Sequence, residues 1–296
     1  MASEVPSIND TGLSPRPPAW QRLWQNLKKS FEMPPPDLSN LVEKLILLTH
    51  IPSWPIASLL IGVSYYLLFA ILAYFEGLMQ DLTEAGRWWQ TLLMPVTGTY
   101  LLLIQPLLRT QLTHTIDAYR KIVPFNDRLK RLETSAYTLN RHGEWIALAA
   151  GTLLGWFLLD SPLSEGYLSG RIYEIIGDIF VFGLIGWHIY AVLTRTRLLS
   201  VIHDQVQHLT IFRQSVSYRQ TIIWSVLNAG VFIAGILASS VFLRPEDFFQ
   251  RDTLIIYGTL VVSALLVFAF SRVPASILNQ FRVFRAFFLF AMVAVI

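Results

Sequence analysis

The chain contains no cysteine in its 296 residues. This absence excludes disulfide bonds, catalysis by a thiolate, zinc sites and iron–sulfur clusters held by cysteine, and covalent attachment of a c-type haem. Charged residues are also scarce, at 15% of the chain. The first eighteen residues are polar and contain proline, so they lack the apolar segment of a secretory signal peptide.

Apolar residues make up 53% of the chain, and the mean hydropathy is +0.48. They occur in long runs, which is typical of a membrane protein. The net charge of +3 would permit a nucleic-acid partner. The basic residues lie between the apolar runs and do not form one polar face, so no nucleic-acid partner is expected.

Six apolar runs are long enough to predict membrane spans, although the third is short. They cover residues 56–77, 89–108, 145–159, 173–193, 221–243 and 253–270. A last run, 283–296, is shorter than a span requires and is either a truncated seventh span or a re-entrant or interfacial segment. We favour the truncated span. The predicted fold class is therefore all-α, a polytopic helical bundle with six full spans and a truncated seventh, occupying residues 56–296.

The distribution of lysine and arginine predicts the orientation of this bundle. The segments 1–55, 109–144, 194–220 and 271–285 hold 19 of the 23 basic residues, and the alternate loops hold the rest. The positive-inside rule places the amino terminus in the cytoplasm and the protein in the inner or plasma membrane. The cytoplasmic loops 109–144 and 194–220 are predicted to be helical.

Residues 1–18 are predicted to be a disordered tail, and residues 19–55 to form amphipathic helices. Tryptophans next to lysines on such a helix are typical of the lipid headgroup region. The predicted interface anchors are Trp20, Trp24, Lys28 and Lys29. The alternative is that this helix packs on the cytoplasmic face of the protein itself.

The fourth span carries Glu174, Asp178 and His188 among its apolar residues. A charged side chain within a bilayer costs roughly 2.5–3.5 kcal/mol even on lenient scales, so it is expected to face other helices or a wet cavity. Glu174 and Asp178 share one helix face. They define a hypothetical ion, proton or substrate pathway, to which Tyr257 and Asn228 are added as polar groups of neighbouring spans. The alternative is that the carboxylates only form hydrogen bonds to neighbouring helices.

His188 is a candidate ligand of a cofactor or an ion, although a single membrane histidine is more often hydrogen-bonded to a neighbour. The sequence identifies no particular cofactor, and we predict no metal site.

Small residues recur every four positions in two predicted spans. This spacing forms a groove that lets a neighbouring backbone approach closely. We expect packing within the bundle more than dimerisation. The residues are Ala147, Gly151 and Gly155 in the third span, and Gly230, Ala234 and Ala238 in the fifth.

One short pattern occurs twice, after spans of the same predicted orientation. Arg109-Thr110, followed by Leu112 and Ile116, is echoed by Arg195-Thr196, followed by Leu198 and Ile202. A parallel repeat of a helical hairpin, as in some transporters, is one interpretation.

The motifs of several enzyme classes are missing, including those of zinc proteases, serine hydrolases and P-loop NTPases. We therefore predict a non-enzymatic membrane protein, an accessory, scaffold or sensory subunit that acts through its cytoplasmic helices. The alternative is a channel or secondary transporter for a small solute or ion that uses Glu174 and Asp178. The expected partners are the lipid bilayer and other membrane subunits or further copies of the chain.

Overall fold

A computed structural model describes most of the first 206 residues and part of the remainder. The described residues are 18, 21, 31–85, 88–121, 127–158, 166–206, 222–224, 226–235, 254, 257–258, 261–262 and 264–265. Of these residues, 88% are helical and none lies in a strand. The predicted all-α class is therefore confirmed.

Nine α-helices can be named in the described ranges, together with two short 3-10 turns, Pro36–Leu38 and Trp88–Leu92. They are α1 Leu41–Leu47, α2 Trp54–Glu76, α3 Leu78–Glu84, α4 Leu93–Arg120, α5 Asp127–Thr138, α6 Arg141–Leu158, α7 Leu168–Gly177, α8 Leu184–Val206 and α9 Ile222–Gly235. A π-helical turn, Asp178–Gly183, joins α7 to α8.

Within the described residues, three helices are long and apolar enough to cross a membrane. They are α2, the continuous segment Trp88–Arg120 and the continuous segment Leu168–Leu199. They correspond to the predicted first, second and fourth spans. The predicted total of six spans and a seventh is not confirmed. All but the last residue of the third lies in α6, which does not reach the same hydropathy, and the described part of the fifth, α9, is shorter. Most of the last two segments lies outside the described residues.

The sequence of helix α2 determines which of its faces is buried in the bundle and which is exposed. Its buried positions Ala57, Tyr65, Phe69 and Ala73 form one stripe that faces the bundle. Leucine, isoleucine and valine cover the opposite face, and only 33% of its apolar window is buried in the protein. An apolar face of this size is typical of contact with lipid or another membrane helix. The helix ends at Gly77, whose φ of +82° favours glycine.

The helices define two ends of the bundle. The proximal end carries α1, α5 and the carboxyl-terminal halves of α4 and α8. The distal end carries α3 and the beginning of α7. Helices α2 and α6 run from the proximal to the distal end, whereas α4 and α8 run back. Buried apolar residues form one cluster at each end and a larger one between them.

Helix α6 packs closely against the π-turn and α8 through small residues. A Cβ atom added to Gly151 would overlap the backbone carbonyl of Phe182, and one added to Gly186 would lie 2.9 Å from the Cα of Gly151. A Cβ on Gly155 would lie 2.8 Å from a carboxylate oxygen of Asp178. The two backbones therefore approach each other at the predicted Ala147–Gly151–Gly155 groove.

The corresponding residues of the predicted fifth span lie in different surroundings. A Cβ added to Gly230 would meet nothing within 4 Å in the described part of the chain. Ala234 is exposed, and Ala238 lies outside the described residues.

This difference predicts opposite effects of the same substitution. Gly151→Ala must displace the Phe182 backbone, and overfilling of this kind costs about 1–3 kcal/mol. Gly230→Ala meets no described atom, and alanine is favoured over glycine within a helix by roughly 0.5–1 kcal/mol. Thermal unfolding in detergent should therefore show a lower midpoint for Gly151→Ala and an unchanged or higher one for Gly230→Ala. Equal midpoints would contradict the close packing of α6.

Candidate functional site

Two of the predicted pathway residues, Glu174 and Asp178, lie at the π-turn of the segment Leu168–Leu199, which corresponds to the predicted fourth span. Asp178 begins this turn and is buried, with its carboxylate facing Gly155 of α6. Glu174 lies one turn earlier in α7 and is half-buried. A π-turn has i→i+5 hydrogen bonds and so contains more residues per turn than an α-helix. The side chains that follow it therefore point in different directions than they would in a continuous α-helix, and such turns occur frequently at functional sites.

Two tyrosines, Tyr65 and Tyr173, fix α7 next to Asp178. The hydroxyl of Tyr65 donates to the backbone oxygen of Tyr173 over 2.7 Å, and their rings stack with centroids 5.2 Å apart. The hydroxyl of Tyr173 donates to the backbone oxygen of Thr91 over 2.8 Å. These bonds join α7 to α2 and to the turn that precedes α4.

The other two predicted pathway residues are Asn228 and Tyr257. Asn228 in α9 is fully buried, and its amide nitrogen donates to the backbone oxygen of Trp224 over 2.7 Å. Tyr257 is half-buried and packs against the large central cluster, whereas Tyr65 and Tyr173 belong to the distal one.

His188 lies in α8 at the centre of the bundle and is 1% exposed. Its Nδ1 atom is 2.9 Å from the amide nitrogen of Gln105 in α4. Its ring meets the ring of Phe232 edge-on, with centroids 5.2 Å apart. His188 is thus surrounded by α4 and α9. In the described residues, no three histidine, aspartate or glutamate side chains are grouped to hold a metal ion.

The predicted anchors Trp20, Trp24, Lys28 and Lys29 lie outside the described residues.

Among the described residues, the largest group of interacting charges lies at the proximal end, and sequence reasoning did not assign it. We call Glu43, Arg109, Glu144 and Arg195 the proximal charge cluster. Their side chains come from α1, α4, α6 and α8. Glu43, Glu144 and Arg195 are buried, and the side chain of Arg109 is only 17% exposed. Two carboxylates and two guanidinium groups balance each other, as buried charges require.

Glu43 connects α1 to α4. Its carboxylate forms an ion pair with Arg109 and accepts a 2.9 Å hydrogen bond from the backbone nitrogen of Asn40. The side chain of Asn40 in turn accepts from the backbone nitrogen of Glu43, which completes a capping box at the start of α1. Arg109 also donates to the backbone oxygen of Leu38 and lies over the ring of Tyr137.

Glu144 connects α1 to α6 and α8. One oxygen of its carboxylate accepts hydrogen bonds of 2.9 Å from the backbone nitrogen of Leu41 and from the indole of Trp187. Glu144 precedes the predicted third span, in the first turn of α6. Burial raises the pKa of its carboxyl group, although these two hydrogen bonds and the charges of Arg195 and Lys44 act in the opposite direction.

Arg195 is related to Arg109 by the repeated Arg-Thr motif. Its guanidinium donates to the backbone oxygen of Ala136 in α5 and interacts electrostatically with Glu43 and Glu144. Arg109 in α4 and Arg195 in α8 each donate to a backbone oxygen in or next to a short helix, Leu38 before α1 and Ala136 in α5. The repeated motif was the sequence signal for this cluster.

No protein-family model, no curated protein and no solved structure matches the chain.

The buried carboxyl group of Glu144 predicts a pH dependence of stability. Its folded pKa is raised, so the folded state binds more protons than the unfolded state between the ordinary value of 4.5 and the raised one. The free energy of unfolding should therefore fall as pH rises above about 4.5, and level off above the folded pKa. The variant Glu144→Gln keeps a side-chain oxygen for both hydrogen bonds and cannot ionise.

The measurement is denaturant unfolding of both proteins in detergent across this pH range. The stability of the glutamine variant relative to the unsubstituted protein should increase as pH rises. Glu144→Ala, which loses both hydrogen bonds, should be less stable at every pH. A stability difference between the unsubstituted protein and Glu144→Gln that does not change with pH would contradict the assigned burial effect.

Proposed function

We propose that the chain is a non-enzymatic integral membrane protein, an accessory, scaffold or sensory subunit that acts through its proximal helices. In this proposal the proximal end lies in the cytoplasm, as the distribution of basic residues predicts. The membrane is the inner or plasma membrane. The partner is another membrane subunit or a second copy of the chain.

The observation that supports this proposal is the proximal charge cluster. Charge pairs that are shielded from water hold their partners in one geometry, because separating them leaves an uncompensated charge. This cluster ties α1 and α5 to the ends of the helices that could cross a membrane. A displacement of those helices would therefore move the proximal helices with them.

The proximal helices also form a packed layer beyond the cluster. Leu112, Ile116 and Tyr119 of α4 contact Leu199 and Ile202 of α8 in one buried cluster. Glu133 of α5 accepts two hydrogen bonds, of 2.6 and 2.7 Å, from Arg120 at the end of α4. This layer supports a role as a docking platform that is continuous with the spans.

Helix α5 is the proposed partner-binding element. Asp127, Lys130 and Arg131 are exposed on it, whereas Glu133 and Ala136 face the protein. Exposed charges at an interface affect the specificity of partner binding and the rate of association more than the affinity.

A second candidate function is a channel or secondary transporter for a small solute or ion. The observation that favours it is Asp178, a buried carboxylate at the start of a π-turn and near Glu174. Ionisable groups within membrane helices often mark ion and proton pathways.

The experiment is extraction of the protein from native membranes in mild detergent, followed by measurement of the particle size and of any stoichiometric companion. We expect a co-purifying protein, and we expect it to be lost when Lys130 and Arg131 are both changed to glutamate. Reversal of an exposed charge at the distal end, Glu84→Lys, is the matched control and should keep it. A solitary particle would contradict the proposal. If that particle carries ion flux in liposomes that Asp178→Asn abolishes while the protein stays intact, the second candidate is supported instead.

A further inference from the structure

Helix α4 contains a proline in its interior. Pro106 is buried, and the helix continues on both sides of it, from Leu93 to Arg120. Proline has no backbone N–H group, so the backbone oxygen of Leu102, one helical turn earlier, loses the hydrogen bond that a regular α-helix would give it. Leu102 is only 4% exposed. Its oxygen therefore needs a donor from another part of the protein, as freed carbonyl groups of membrane helices do.

The first residue of α2 provides this donor. The indole nitrogen of Trp54 donates to the backbone oxygen of Leu102 over 2.9 Å. Trp54 is 1% exposed. Pro55 follows it, and a proline in the first turn of a helix fixes the backbone there. A neighbouring helix thus supplies, from a rigid position, the hydrogen bond that α4 cannot form within itself.

The two halves of α4 have different partners. Before the proline, α4 packs closely on α2, because a Cβ atom added to Gly62 would overlap the hydroxyl of Thr99. After the proline, Arg109 pairs with Glu43 of α1, and Arg120 pairs with a carboxylate of α5. The angle between the two halves therefore determines where the proximal helices lie relative to the helices that could cross a membrane.

We propose that residues 102–106 form a hinge in α4 and that the hydrogen bond from Trp54 fixes its angle. A helix that lacks one internal bond bends more easily at that point, and sharp bends in helices occur mostly at proline. The fixing bond comes from outside α4, so the hinge stays fixed only while the start of α2 remains against it. A displacement of α2 that breaks the bond frees the proximal half of α4 to pivot.

This hinge is a conformational device of a single chain. It requires no companion protein, so the inference does not depend on the proposed function. A failure to find a companion would leave it untouched, and a failure of the hinge would leave the companion to be explained by the exposed charges of α5.

The test is the distance between two spin labels, measured by pulsed EPR on the full chain in lipid bilayers. The chain contains no cysteine, so His114→Cys and Glu84→Cys create the only two labelling sites. Both positions are exposed. His114 lies in the proximal half of α4, and Glu84 lies in α3 at the distal end. Trp54→Phe keeps an aromatic ring and removes the donor, and we expect it to broaden the distance distribution. An unchanged distribution would overturn the proposal.

The variant Pro106→Ala distinguishes the loss of the bond from a loss of packing. Alanine gives residue 106 a backbone N–H group that can donate to the Leu102 oxygen, so the helix no longer needs the indole. In the Pro106→Ala background, Trp54→Phe should therefore leave the distance distribution unchanged. Equal broadening in both backgrounds would show that only packing was lost, and would overturn the role of the hinge.

The same pair of substitutions decides the matter if Trp54→Phe alone does not fold. Pro106→Ala should then restore the fold, which is measured as a monodisperse particle in detergent with a helical circular dichroism spectrum. A double variant that also fails to fold would overturn the proposal, because the backbone of α4 would have its missing donor and the protein would still depend on the indole.

Discussion

The arrangement of the proximal helices depends on the pairing of four charges that are largely shielded from water. A buried carboxylate or guanidinium is costly unless it is paired and hydrogen-bonded. Arg109 therefore draws Glu43 and the segment before α1 onto the bundle, and Glu144 holds Leu41 and Trp187. These contacts position α1 against helices that are distant in the sequence. The apolar packing of the proximal layer then extends outward from this cluster.

Close backbone contact provides the second constraint. Gly151 and Gly186 let α6 approach α8 so closely that a single added methyl group would meet backbone atoms. Between membrane helices, such packing replaces the hydrophobic driving force that operates in water. The π-turn lies in the same interface and presents both Phe182 and Asp178 to α6. The segment Leu168–Leu199 and α6 are therefore closely packed against each other.

The sequence predicted the helical class well because hydropathy is a local property. The prediction of a span at residues 56–77 differs by only a few residues from helix α2, Trp54–Glu76. The number of spans was not confirmed. In the described part of the chain, α6 begins with charged residues that lower its hydropathy and α9 is shorter, and most of the last two predicted segments lies outside that part. The π-turn has no comparable local signal, since its residues would also suit a regular helix.

The candidate site was harder to predict, because its partners are far apart in the sequence. Leu41 and Glu144 are separated by 103 positions, and Arg109 and Glu43 by 66. Composition and spacing show that such residues exist and do not show which of them meet. Asp178 and His188 stood out because they interrupt an apolar run. Glu43 and Glu144 lie outside the predicted spans, and only the repeated motif around Arg109 and Arg195 pointed toward their end of the bundle.

The most direct test of the proximal charge cluster is a double-mutant cycle on Glu43 and Arg109. The measurement is the free energy of unfolding in detergent for Glu43→Ala, Arg109→Ala and the double variant. Removing one member of a buried pair costs up to about 3–5 kcal/mol, because the other charge is left without a partner. The account predicts that both single variants are strongly destabilised and that the double variant is little worse than either. Two small effects that simply add would contradict it.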